Sequence, residues 1–158
     1  MSWRSTRGFT IAELITVCAI IAVLSGLALP VARFAFRRQK EIELKERLVR
    51  ITDAIDRYRA LRVAPLPDNI KNPPDLNQGE YPKTLDELTK PIELNSGKKV
   101  RLLNERDLTD PITGQADWTL LSSSDDLDEH FSNGYNVFDV HSKSTALALD
   151  GKTHYNEW

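Results

Sequence analysis

The run Leu14 to Ala32 constrains this chain more than any other feature, because nineteen consecutive residues carry no formal charge. At about 1.5 Å per residue, a helix of that length covers roughly 28 Å, close to the ~30 Å hydrocarbon core of a bilayer. The run therefore reads as a membrane-spanning helix. A cleaved secretory signal competes with that reading, since Arg4 and Arg7 precede the run and small residues follow it around Ala28 to Ala35. Against it, the apolar core of such a signal is typically about 7 to 15 residues, and here a carboxylate, Glu13, stands at its start.

Two residues inside this segment are unusual. An acidic side chain at membrane depth costs about 2.5 to 3.5 kcal/mol on translocon scales, so Glu13 is expected to have a partner and a task unless it snorkels to the interface. Pro30 follows Gly26 by four residues. A helical proline removes the bond to the carbonyl four residues back, which here belongs to the residue least able to hold helical backbone. The pair is a built-in weak point, or else an ordinary kink of the kind membrane helices tolerate.

Beyond the run the chain becomes charged and amphipathic. Residues 33 to 62 carry ten Lys/Arg against five Asp/Glu, and residues 63 to 158 carry nine against seventeen. That acidic majority excludes a uniformly basic nucleic-acid binder. Cys18 is the only cysteine, which excludes a disulfide-stapled scaffold. Leu44, Leu48, Ile51, Ile55 and Tyr58 recur at steps of four, three, four and three, one helical stripe, so helix is expected from Phe9 to about Arg62. A free coiled coil shares this spacing, but barely three heptads are present and the flanking charges show no e/g pattern.

Pro65 and Pro67 end the helix, and residues 63 to 83 have loop composition. Thr84, Leu85, Asp86, Glu87 reads as a capping box opening a short helix over Leu85 to Thr89 that Pro91 stops. Strand-like runs follow at Val100 to Leu103, Trp118 to Leu121, Tyr135 to Val140 and Thr145 to Leu149. Turn signals separate them at Asp110 to Gly114, at Asn133 and Gly134, and at Asp150 and Gly151. The expected class is α+β: a long N-terminal helix, transmembrane in its first half, packed on a small antiparallel sheet of three or four strands. The acidic stretch Asp125 to Glu129 reads as a solvated loop.

Arg7, Gly8, Phe9, Thr10, Ile11, Ala12, Glu13, Leu14 and Ile15, with the apolar run behind them, resemble the class III signal sequence of type IV pilins and type II secretion pseudopilins. The resemblance implies a leader over residues 1–8, cut between Gly8 and Phe9 by prepilin peptidase, with N-methylation of Phe9. It also implies Glu13 retained in the helix for subunit assembly, and helix melting near Gly26 and Pro30. Domains follow as 9–36 (transmembrane and filament core), 37–62 (amphipathic continuation) and 63–158 (extracytoplasmic α+β domain).

A second set of patches (Tyr81, Pro82, Thr84, Leu85, Leu88; Asp110, Pro111, Thr113, Gly114, Ala116, Asp117, Trp118; Phe138, Asp139, Val140, Ser142, Asp150, Gly151) resembles the periplasmic domain of major pseudopilins. That implies calcium held by loop oxygens, with Ser142 and Asp150 matching the family's loop and Asp139 a third candidate. Calcium needs about six to eight oxygens, so carbonyls and water would supply the rest. Asp150 followed by Gly151 is also a common hairpin turn needing no metal.

The function implied is a non-enzymatic subunit of a type II secretion pseudopilus, a homopolymer. Its partners would be the prepilin peptidase, the inner-membrane secretion platform, minor pseudopilins and the membrane itself. A type IV pilin or a minor or competence pseudopilin is the alternative within the family. Outside it stands a single-span inner-membrane protein with an extracytoplasmic binding domain, whose basic juxtamembrane segment meets anionic headgroups. The flanking charges alone favour the opposite topology, since Arg33, Arg37, Arg38 and Lys40 outnumber Arg4 and Arg7. The sequence carries no nucleophile elbow, phosphate loop or paired-cysteine metal motif, and His130, His141 and His154 lie in different segments.

Overall fold

The computed structural model describes residues 8–63, 70–71, 79–123 and 135–158. Helix α1 runs Ile11–Val63 with Pro30 inside it. The chain divides into two compact units, the second spanning Gln39–Trp158, and α1 contributes to both. The first unit, which ends at Arg38, is helix alone once past residue 10. It belongs to a helix long and apolar enough to cross a membrane, and none of that apolar window is buried inside the chain.

In the second unit the expected stripe becomes a core. Leu44, Ile51, Ala54, Ile55 and Tyr58 are buried, and Leu48 and Leu61 pack at the margin. They meet Ile70, Tyr81, Leu88, Leu103, Trp118, Val137, Val140 and Tyr155 in one cluster. Each fully buried Ile or Leu contributes about 1.5 to 3 kcal/mol from removal of apolar surface from water. Helix α2 covers Leu85–Thr89, within the expected bounds, and inserts Leu85 and Leu88. Its expected capping box does not form. The Thr84 side chain makes no cap bond, and Glu87 instead accepts from the Lys83 N–H at 3.3 Å and from the Tyr58 hydroxyl at 3.5 Å.

The expected α+β class holds, a long N-terminal helix with four short antiparallel strands, which among the described residues divide into two pairs. Strands β1 (Ile92–Glu93) and β2 (Lys99–Val100) form one antiparallel pair, and β3 (Trp118–Leu121) and β4 (Asp139–Ser142) form a second, with no strand shared between them. β3 matches its expected bounds, whereas the run expected at Val100 to Leu103 pairs only over Lys99–Val100 and the one expected at Tyr135 to Val140 pairs over Asp139–Ser142. After Val100 the N–H groups of Leu102 and Leu103 turn to the Leu88 carbonyl at 3.3 and 3.0 Å, so pairing stops. Before Asp139 the Val137 N–H goes to the Pro82 carbonyl at 2.7 Å. The Thr145 to Leu149 run makes only an isolated bridge, Leu147 to His154, because the chain reverses at Gly151, whose φ of 69° lies in the left-handed region. Pro65, Pro67, the acidic stretch 125–129 and the Asn133–Gly134 turn lie outside the described residues.

Candidate functional site

The start of α1 is built by local chemistry. Thr10 precedes the first helical residue, and its hydroxyl oxygen accepts the Glu13 N–H at 3.2 Å, while the Glu13 carboxylate accepts the Thr10 N–H at 3.2 Å and the Thr10 hydroxyl at 3.4 Å. This reciprocal arrangement is a capping box, which satisfies two of the N–H groups a helix start leaves without partners. It also sets a carboxylate at the positive end of the helix dipole. The sequence contains the same four-residue pattern at Thr84 to Glu87, where the box was expected and does not form. At Thr10 to Glu13, where it was not expected, it does.

Gly8, Phe9 and Glu13 therefore lie together at one helix end, all exposed, and Phe9 is 87% exposed. A Cβ at Gly8 or at Gly26 would meet nothing within 4 Å, so neither glycine is required for packing within the chain. The helix continues unbroken through Gly26 and Pro30. Along the same stretch Ile11, Leu14, Ile15, Ile20, Val23, Leu29 and Phe34 are all more than half exposed. An apolar surface of this extent needs lipid or other protein around it.

The C-terminal turn has a different organisation. Asp150 Oδ1 accepts the N–H groups of Lys152 and Thr153 at 2.8 and 3.0 Å, and Oδ2 accepts the Thr153 hydroxyl at 2.7 Å. The two backbone donors hold its carboxyl down at about 2. Ser142 is fully buried, and its hydroxyl donates to Asp110 Oδ2 at 2.6 Å. Asp139 Oδ1 accepts the adjacent Val140 N–H at 2.8 Å. The three residues expected to hold calcium thus each make local bonds, and no group of three or more His, Cys, Asp or Glu able to hold a metal occurs among the described residues. The calcium reading rests on the resemblance alone.

Three residues to which the sequence reading assigned no tertiary partner, Asp110 having been read only as part of a turn, hold this unit together. Asp110, fully buried, also accepts the Ile112 and Thr113 N–H groups through Oδ1 and so ties its own turn to β4. Glu41 in α1 accepts the Leu149 N–H at 2.6 Å and the Tyr155 hydroxyl at 2.8 Å through one oxygen. Arg47 donates to the carbonyl of Arg106, within the 3-10 turn Glu105–Leu108, and to that of Thr109, just after it. Beside it, Arg50 pairs with the buried Asp107 at 3.0 Å.

Compared with known proteins, the chain matches no family model, no curated protein and no solved structure.

Proposed function

We propose that this chain is a filament-forming pseudopilin subunit of a type II secretion system, held in the bacterial inner membrane until it is extracted into a homopolymer. What supports the reading most is the asymmetry of α1: one face of its second half is buried by its own domain, while its first half exposes apolar side chains and carries one carboxylate beside Gly8 and Phe9. Removal of residues 1–8 would leave a cationic amine on Phe9, and methylation would keep it cationic. Glu13 of a neighbouring copy would pair with that amine in a low-dielectric environment, where a mis-staggered subunit leaves both charges unpaired. The capping box with Thr10 holds the Glu13 carboxylate at the helix start, the position such a pairing needs.

Once outside the bilayer, backbone groups between about Ala22 and Ala32 can exchange helical bonds for shielding by neighbours. Gly26 and Pro30 make this the least costly place for the helix to lengthen. Replacing Glu13→Ala should leave processing and membrane insertion intact while filament yield falls to background in cells that carry the assembly machinery. Unchanged yield would remove the assembly role and leave Glu13 as a capping residue. A single-span anchor for a binding domain, the reading from another class, predicts no filaments from either chain and retention of residues 1–8.

A further inference from the structure

The arginines that follow the apolar run have no role in the function proposed above. Arg33, Arg37 and Arg38 are all exposed and occupy six residues of α1 directly after Ala32, with the exposed aromatic rings of Phe34 and Phe36 between them. Arg33 and Arg38 make no hydrogen bond or ion pair among the described residues. The next charged residue, Lys40, is basic as well, and toward the N-terminus the nearest charge is Glu13 at the far end of the run. The two acids that follow are committed elsewhere, Glu41 to Leu149 and Tyr155, and Glu43 to Arg47.

This placement opposes insertion in the proposed orientation. Basic residues beside a span favour the cytoplasmic side, and removal of residues 1–8 would strip Arg4 and Arg7 from that side. Three arginines kept on the opposite side therefore work against the topology they accompany. A guanidinium presents a planar fork of donors that matches phosphate oxygens bidentately, and it stays charged at every physiological pH. At the end of a ~28 Å apolar helix that fork lies at headgroup depth. The intervening phenylalanine rings have the apolar character that interfacial segments bury at the acyl boundary.

We infer that Arg33, Arg37 and Arg38 form a collar that binds the phosphate of anionic phospholipid headgroups and sets the depth of the helix in the outward leaflet. The inference rests on the proposed membrane-spanning reading and names the lipid class that reading requires. Each arginine near an anionic surface is worth about fivefold in affinity, so the three together supply up to roughly a hundredfold preference for an anionic over a zwitterionic lipid.

Native mass spectrometry of the full chain purified from membranes in nonionic detergent tests this. Phosphatidylglycerol or phosphatidylcholine is added in separate arms, and a third arm adds inorganic phosphate to the phosphatidylglycerol sample. The expected result is retained phosphatidylglycerol at roughly tenfold or greater preference, undisturbed by free phosphate. The preference should be lost in the Arg33→Gln, Arg37→Gln, Arg38→Gln variant and weakened but not abolished in the corresponding triple Lys variant, which keeps the charge without the fork. Equal retention of both lipids by the native chain, or an unchanged preference in the Gln variant, would overturn the inference. Displacement by inorganic phosphate would likewise overturn it, reducing the collar to a general anion site. The same spectra give the mass of the polypeptide, so a chain that keeps residues 1–8 contradicts the pseudopilin reading independently of whether lipid is bound.

Discussion

Two stretches of one helix, Ile11 to Arg38 and Gln39 to Val63, have opposite relations to the rest of the chain. The later stretch directs Leu44, Ile51, Ala54, Ile55 and Tyr58 into a core built by its own domain. The earlier stretch is the more apolar of the two, yet Ile15, Val23, Leu29 and Phe34 remain more than half exposed. Apolar content therefore does not decide which part of α1 is buried within the chain. What decides it is the pattern: a one-sided stripe at helical period can be covered by one small domain, while a segment apolar on every side needs an apolar surround. The charged residues follow the same division, with arginines of the later stretch clamping the Glu105–Leu108 turn and arginines at the end of the earlier stretch facing outward.

Matched truncations give the largest expected difference between the stretches. Ile55→Ala, at a fully buried site, should cost about 2 to 5 kcal/mol of stability, while Ile20→Ala in the earlier stretch should leave the urea midpoint of the second unit unchanged. Equal losses would mean that the earlier stretch is also buried within the chain. Next in size is Asp110→Ala, which leaves the Ile112 and Thr113 N–H groups and the Ser142 hydroxyl without their acceptor. At about 1 to 3 kcal/mol for each buried group left unpaired, a loss near 3 kcal/mol is expected, mostly recovered by Asp110→Asn. A neutral Asp110→Ala would show that the turn does not depend on its buried carboxylate.

The smallest effects belong to Asp150. Its carboxyl is lowered from 3.8 to about 2, so the stability it lends is complete above about pH 4 and is lost as pH falls through about 2. Carboxyl chemical shifts should titrate near pH 2 in the folded chain and move toward the ordinary value in Thr153→Val, which removes one donor. With its oxygens already occupied by the turn, the melting temperature of the domain should be the same in calcium and in chelator. A rise in calcium that Asp150→Ala abolishes would show that the loop rearranges around an ion.

Periodicity made α1 and its buried stripe legible before any coordinates, because many residues vote on one helical face. The turn at Asp110 to Gly114 was legible for a local reason, since Asp, Pro and Gly each favour the backbone it adopts. Two-residue strands such as Ile92–Glu93 have no period to detect. The burial of Asp110 depends on Ser142, thirty-two residues away in sequence, and no local signal announces it. The two Thr-x-x-Glu patterns show the limit most clearly. At Thr84 the Glu87 carboxylate takes the neighbouring Lys83 N–H and, from α1, the Tyr58 hydroxyl, while at Thr10 the Glu13 carboxylate takes the Thr10 N–H and hydroxyl and the local motif forms. Gly8 and Phe9 were nominated by resemblance and Glu13 already by its charge at the head of the apolar run, and Thr10 could have been found beside them from the same capping pattern.

The central claim is that Gly8 and Phe9 flank a cleavage point and that the exposed helix behind them enters a filament. Intact-mass measurement of the chain extracted from membranes of cells with an active prepilin peptidase tests it most directly. The account predicts a polypeptide beginning at Phe9 and carrying one added methyl group. A chain that retains residues 1–8, or one cut after the apolar run, would contradict it.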